Sequence, residues 1–163
     1  MLEVKNISLK YGNNKVFENL NLSFDYGQLV LIYGKSGCGK SSLFHIINGI
    51  IENASNASYS GDLLINSKSI LEKSVAKRSS YIGSVLQNPR DQIIFSSVED
   101  ELVFPMENIG LDKSEMHDRL RKYREELSFY NTDTNNLSGG EQQKLMTYAS
   151  LTMDQDIYIL DEP

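Results

Sequence analysis

The chain has 163 residues, 40% of them hydrophobic and 23% charged, with a formal net charge of −6. This length and balance predict one folded domain over residues 1–163 and argue against disorder. The acidic balance disfavours nucleic acid as a partner. A single cysteine excludes an internal disulfide, and no run of 18 apolar residues occurs, so we expect a cytosolic domain without a membrane-spanning helix.

The first third of the chain predicts strands joined by turns. Residues 2–9 have the pattern of a strand, and apolar residues alternate with polar ones over 20–24, as in a half-buried strand. A Gly/Asn-rich turn at 11–14 separates the two. Residues 53–60 are polar and predict a loop, and 62–65 predict a further strand.

A glycine-rich segment follows an apolar run. Residues 29–33 (LVLIY) have the composition of a buried parallel strand. They lead into GKSGCGKS at 34–41, which matches the phosphate-loop pattern G-x-x-x-x-G-K-[ST], and then into a predicted helix over 40–48. A Gly-rich turn with a chance lysine is the weaker interpretation, because the strand and helix that the motif requires are both present.

This segment has the chemistry of an anion site. Glycines let backbone N–H groups converge on an anion, and the helix N-terminus adds partial positive charge. Lys40 can reach β- and γ-phosphates, and the Ser41 hydroxyl can bind Mg²⁺. The candidate nucleotide-binding residues here are Gly34, Lys35, Ser36, Gly37, Cys38, Gly39, Lys40, Ser41 and Ser42.

The second half predicts mostly helices. A strand over 80–86 ends at Gln87. Ser97 with Asp100 resembles a capping box ahead of a helix over 98–108, which carries Pro105, and this proline should bend or interrupt it. Asp112 with Glu115 opens a second helix, and a third runs from 138 to about 153. Residues 157–160 (IYIL) predict a final buried strand.

Two carboxylates follow that final strand. Asp161 at a strand end can hold Mg²⁺ through water, and Glu162 can orient or deprotonate an attacking water. Alone, this pattern is more often a solvated turn. Together with the phosphate loop, it predicts the second half of one site.

The segment LSGGE at 137–141 predicts another helix start. Ser138 and Glu141 have capping-box spacing, with two glycines between them. A single nucleotide does not need two anion-binding helix N-termini from one subunit, so two chains facing head to tail could complete each other's sites. The alternative is an ordinary capped helix after a loop.

With these motifs the chain resembles the ATP-binding cassette (ABC) ATPases along its whole length. The resemblance implies ATP and Mg²⁺ as cofactors and a head-to-tail dimer with a second ABC ATPase subunit. In that family the LSGG segment of one subunit closes on the γ-phosphate bound by the other. The resemblance assigns adenine stacking to Tyr11, phosphate and metal binding to Lys40 and Ser41, metal and water sensing to Gln87, contacts across the dimer to Ser138, Gly139 and Gly140, metal binding to Asp161 and the catalytic base to Glu162.

The resemblance also implies the architecture. The expected fold is an α/β P-loop NTPase with a parallel core sheet, an antiparallel β edge and a helical subdomain at 90–138. The family continues beyond Asp-Glu-Pro with a further strand that ends in a histidine, so the chain is expected to be a C-terminally truncated domain. Two departures are Glu141, where glutamine is commoner, and Lys144, where the family usually has arginine.

One stretch resembles a subgroup of the family. QNPRDQIIF at 87–95 is similar to the ATPases of energy-coupling factor importers for vitamins and for cobalt or nickel. This implies an integral membrane partner, docked at an apolar patch after Gln87, and a peripheral position at the cytoplasmic face of the membrane. The alternative is that Phe95 and Phe104 are buried in a helical core. The alternatives for function are a non-transport ABC ATPase and a fragment that binds ATP without turnover.

Overall fold

The protein's structure, a computed structural model, describes residues 1–53 and 56–161, with only the backbone considered at 52 and 53. The chain divides into two compact units, Met1–Ser79 and Ser80–Pro163. The predicted helical segment 90–138 falls within the second unit. Among the described residues, no helix has the length and apolar character needed to cross a membrane.

An antiparallel sheet dominates the first unit. Its strands are β1 (Leu2–Tyr11), β2 (Asn14–Phe24), β3 (Ala57–Ile65) and β4 (Lys68–Ser69), in the order β2-β1-β3-β4. Buried apolar side chains of β1 face the interior, and polar ones alternate with them, as expected for a sheet with one covered face. The predicted antiparallel strands are therefore confirmed.

The polar loop predicted at 53–60 is wrong for its second half. Residues 57–60 begin β3, where Ser58 lies opposite Lys10 and Tyr59 opposite Leu9. Polar side chains suit this strand because its outer face is exposed, and the backbone pairing with β1 does not depend on them. Residues 54 and 55 of the predicted loop lie outside the described residues.

The buried parallel strand predicted at 29–33 is also wrong. These residues form no strand, and every one of their side chains is exposed, from Val30 at 46% to Leu29 at 102%. A parallel strand needs a neighbour to satisfy its backbone, and no strand pairing among the described residues includes 29–33. The apolar run is therefore left facing solvent.

Helix α1 (Lys40–Asn48) begins and ends where the sequence predicts. Gly49 ends it with φ 78°, and its N–H donates to the carbonyls of His45 and Ile46. An ideal Cβ at Gly49 would lie 3.0 Å from the Arg78 guanidinium carbon, so a larger residue would meet that side chain. Arg78 ends the short helix α2 (Val75–Arg78) and is 1% exposed.

The second unit combines a parallel strand pair with helices. Strands β5 (Ile82–Val85) and β6 (Ile157–Leu160) pair in parallel. Helices α3 (Val98–Asn108), α4 (Lys113–Glu126) and α5 (Gly139–Leu151) complete the unit. Its core consists of Val85, Val98, Leu102, Met106, Leu120, Tyr123, Leu127, Phe129, Tyr130, Leu137, Leu145, Met146 and Ala149.

Three helices begin at the side-chain caps that the sequence predicts. The hydroxyl of Ser97 accepts from the Asp100 N–H, and the Asp112 carboxylate accepts from the Glu115 N–H. Ser138 caps α5 in the same way. Each cap satisfies a backbone donor that the first turn leaves without a helical partner.

Two expectations for the second unit are only partly met. Pro105 does not interrupt α3, which continues to Asn108. Proline removes one backbone donor, and close to the end of a helix only a single turn depends on it. Strand β6 is parallel, as predicted, but its side chains are half-buried and Leu160 is 43% exposed.

Candidate nucleotide-binding site

The phosphate loop lies between residue 33 and the start of α1. Gly39 precedes the helix with φ 100°, and among the described residues no side chain caps the first turn. No acidic residue occurs in that turn. The N–H groups at the start of α1 therefore remain available to an anion, which the helix dipole also favours.

Two side chains cross this loop. The Lys40 ammonium donates to the carbonyl oxygens of Gly34 and Lys35, at 3.0 and 3.4 Å. The Sγ atom of Cys38 lies 2.8 Å from an ideal Cβ at Gly34. Both contacts span the loop that the motif assigns to phosphate binding.

The hairpin that carries Tyr11 contacts the same loop. Tyr11 ends β1, lies opposite Asn14 and is half-buried. Further along β2, a Val16 methyl carbon lies 2.6 Å from an ideal Cβ at Gly39, so this close approach requires glycine. Strand β2 of this hairpin therefore approaches the phosphate loop at Gly39, and Tyr11 lies at the end of the neighbouring strand.

The second unit brings Gln87 and Asp161 to one edge. Val85 lies opposite Leu160 at the carboxyl ends of β5 and β6, and the Asp161 N–H donates to the Val85 carbonyl at 3.0 Å. Gln87 follows two residues after β5 and is exposed. The carboxyl edge of parallel strands is where such sheets bind ligands. Glu162, the predicted base, lies outside the described residues.

The loop after β5 is held by a residue that sequence reasoning did not single out. The Gln92 amide accepts from the Leu86 N–H at 2.7 Å and donates to the Ser84 carbonyl at 3.2 Å. Asn88 caps the turn at Pro89–Asp91 by accepting from the Arg90 N–H. The Asn-Pro pair is a recognisable start signal for such a turn, but the Gln92 contacts depend on the folded loop.

This loop also reaches α5. Arg90 Nε donates to the Gln142 side-chain oxygen at 3.3 Å, and Gln142 is buried. Further on, the buried carboxylate of Glu101 accepts from the N–H groups of Ile94 and Phe95, at 3.0 and 2.8 Å. The segment after Gln87 is therefore fixed at both ends by side chains of the helices.

The LSGGE segment forms a complete capping box at the start of α5. Ser138, Gly139 and Gly140 are exposed, and nothing lies within 4 Å of an ideal Cβ at either glycine. The hydrogen bond from the Ser138 hydroxyl, followed by that from its N–H, lowers the pKa of Glu141. A helix N-terminus with an ionised carboxylate thus faces open space.

A family model described as ABC transporter matches residues 17–163. The chain belongs to the ABC transporter family. The resemblance inferred from its motifs is therefore confirmed, and so is the expected α/β P-loop fold of an ABC ATPase.

Two curated relatives are named as transporter ATP-binding proteins. The chain is 38% identical over 170 residues to an ABC transporter ATP-binding protein of Treponema denticola, covering 100% of this chain and 34% of that protein. It is 37% identical over 172 residues to the energy-coupling factor transporter ATP-binding protein EcfA1 of Fusobacterium nucleatum, covering 99% of this chain and 61% of that protein. The chain thus spans between about a third and three fifths of these two relatives.

Solved structures show the same fold. CbiO1 of Clostridium perfringens, described as part of the ABC transporter complex CbiONQ, matches with a TM-score of 0.82 and 29% identity, covering 99% of this chain and 65% of that chain. The ATP-binding cassette MJ0796, a dimer bound to ADP and Pi, matches with a TM-score of 0.80 and 25% identity. The match covers 99% of this chain and 73% of that chain.

Proposed function

We propose that this chain binds Mg-ATP and hydrolyses it as the nucleotide-binding subunit of a membrane importer. The observation that carries the proposal is the uncapped start of α1 at the end of the GKSGCGKS loop, where the Lys40 ammonium reaches back to the Gly34 carbonyl. An uncapped helix start, a lysine ammonium and a glycine-rich backbone together provide donors for two or three phosphates.

The first unit would hold the nucleotide. Lys40 would exchange its two carbonyl acceptors, Gly34 and Lys35, for the more strongly accepting β- and γ-phosphates. The N–H groups of 34–42 would surround the phosphates. Tyr11, half-buried at the end of β1, would stack on the adenine ring.

Oxygen donors suited to magnesium are present. Ser41 is exposed in the first turn of α1, and Asp161 and Gln87 follow parallel strands. Among the described residues no group of three or more His, Cys, Asp or Glu could hold a metal by itself. This fits Mg²⁺, which usually takes one or two carboxylates and completes its shell with substrate phosphates and water.

Glu162 is the proposed base. It follows Asp161 directly and would orient or deprotonate the attacking water, with Gln87 ordering that water. A bound Mg²⁺ would neutralise charge on the phosphates.

The start of α5 would serve a second subunit. Ser138, Gly139 and Gly140 are exposed and unobstructed, so phosphates held by another ABC ATPase could approach them. A head-to-tail dimer would then close on ATP and reopen after hydrolysis.

The membrane partner is proposed to be of the energy-coupling factor type, which takes up vitamins, cobalt or nickel. The similarity to EcfA1 and to CbiO1 supports this, and so does QNPRDQIIF at 87–95. Ile94 is 65% exposed, beside the half-buried edge-to-face rings of Phe95 and Phe104. Together these side chains give an apolar-aromatic patch in a fixed loop, and such a patch suits docking of a membrane subunit, which would place the ATPase peripherally at the cytoplasmic face.

Replacing Lys40 with Ala tests the nucleotide site. We expect the affinity for a fluorescent ATP analogue to fall at least about tenfold, or about 1.4 kcal/mol, because charge-assisted phosphate contacts are lost. Lys68→Ala, which removes an exposed lysine from β4, is the matched control and should bind as the wild type does. Equal affinity of the Lys40 variant and the wild type would contradict the proposed function.

Labelling of Cys38 offers a second test. The thiol is exposed and lies across the loop from Gly34, so a maleimide adduct there should block nucleotide binding. With Mg-ATP at ten times its Kd, about nine tenths of the sites are occupied, so labelling should slow about tenfold. Mass spectrometry of time points measures the rate. Equal rates with and without Mg-ATP would place the thiol outside the nucleotide site.

A further inference from the structure

The hydroxyl of Ser138 is already engaged. Its Oγ–H donates to Glu141 Oε2 at 2.7 Å, and its backbone N–H donates to the same oxygen at 2.8 Å. In return, Ser138 Oγ accepts from the Glu141 N–H at 3.4 Å. A serine hydroxyl carries one hydrogen, so Ser138 cannot donate to a phosphate while it donates to Glu141.

The acceptor is a charged group. The hydrogen bonds from Ser138 lower the pKa of Glu141, so the carboxylate is ionised at neutral pH. It occupies the first turn of α5, where the helix dipole attracts anions. A carboxylate in that position occupies the Ser138 hydroxyl, one of the donors that an incoming phosphate would need, and it repels the phosphate as well.

We propose that Glu141 is a positioning residue that restrains closure of the ATPase dimer by competing with the γ-phosphate for Ser138. The inference rests on the proposed function, in which Ser138 contacts ATP held by a second subunit. Closure then requires the Ser138 hydroxyl to turn from the carboxylate to the phosphate. The restraint raises the ATP concentration needed for closure without removing the capping box that orders α5.

Replacing Glu141 with Gln removes the negative charge while the helix cap remains. The glutamine side-chain oxygen can still accept from the Ser138 N–H, because Ser-x-x-Gln is also a capping box, but a neutral amide oxygen accepts from the hydroxyl more weakly than a carboxylate does. Glu141→Gln therefore keeps the helix start, loosens the hold on the Ser138 hydroxyl and removes the repulsion. Glu125→Gln is the matched control because Glu125 is an exposed residue of α4 and loses the same charge.

The experiment measures association of the complete protein with its ATPase partner subunit, driven by the Mg complex of a non-hydrolysable ATP analogue. We expect Glu141→Gln to lower the analogue concentration for half-maximal association by about fivefold to tenfold. Glu125→Gln should leave it unchanged, and both variants should keep the wild-type melting temperature. With Mg-ADP, which has no γ-phosphate, Glu141→Gln should produce no shift.

Ser138→Ala tests whether the effect of Glu141→Gln on association acts through the Ser138 hydroxyl. In that background the gain from Glu141→Gln should be smaller than in the wild type, because no hydroxyl remains to be released and only the repulsion changes. An undiminished gain there, or no gain in the wild-type background, would overturn the inference.

Lys40→Ala separates the two proposals: if it abolishes association while Glu141→Gln has no effect, only this inference fails. Association that is unaffected by Lys40→Ala would instead contradict the proposed function.

Discussion

Arg78→Met is expected to lower the free energy of unfolding by at least about 3 kcal/mol, because it removes buried charge-assisted hydrogen bonds. The guanidinium donates to the Ile46 carbonyl at 2.5 Å and to the Ile47 carbonyl at 3.3 Å, both in the last turn of α1. It also donates to the carbonyls of Lys73, at 2.8 Å, and Leu71. Methionine fills a similar volume but leaves those carbonyls without these donors.

Because α1 follows the phosphate loop, the same change should weaken nucleotide binding. Chemical denaturation of the complete protein measures the loss of unfolding free energy. Lys68→Met is the control, because it removes an exposed positive charge from the same unit. The control should unfold at the wild-type denaturant concentration. If Arg78→Met did so too, the buried guanidinium would not hold α1 in place.

A polypeptide of these 163 residues, made alone, should be aggregation-prone because the run at 29–33 is exposed, with Leu29 at 102%, Leu31 at 83% and Tyr33 at 87%. It should also show little or no steady ATP hydrolysis, because the proposed site closes only with a second ATPase subunit. Contiguous apolar residues with unpaired backbone favour strand pairing between molecules. Light scattering during refolding measures the effect.

Negative charges introduced into the run at 29–33 should reduce this aggregation. Leu29→Glu with Leu31→Glu should raise the soluble fraction several-fold, because charges in such a run oppose association. Val75→Glu, at an isolated residue that is 45% exposed, should change little. A soluble, cooperatively melting wild-type chain with Mg-dependent turnover, lost in Glu162→Gln, would show that the exposed run does not have this effect.

Local patterns predict much of the fold. Helix α1, the helix caps at Ser97, Asp112 and Ser138, and the extent of strand β6 all lie where the sequence places them. These features depend on residues within one turn or one strand, so short-range chemistry determines them. The phosphate-loop motif likewise predicts a nucleotide site from eight consecutive residues, because the chemistry that it needs is local.

Features that depend on tertiary context are not predictable in this way. The run at 29–33 has the pattern of a buried strand, yet burial requires neighbours that its own sequence does not supply. Arg78 is a charged residue in the core, and apolar periodicity cannot identify it. The hydrogen bond from the Ser138 hydroxyl to Glu141 goes beyond the capping box that spacing predicts, because it commits the hydroxyl as a donor.

The most direct test of the account is Mg-dependent ATP hydrolysis by the complete protein in its assembly with a second ATPase and a membrane subunit. The account predicts steady turnover in the wild type. Glu162→Gln should retain nucleotide binding but reduce turnover by at least about 100-fold, since general-base catalysis contributes on that scale. Turnover in Glu162→Gln equal to that of the wild type, or none in the intact assembly, would contradict it.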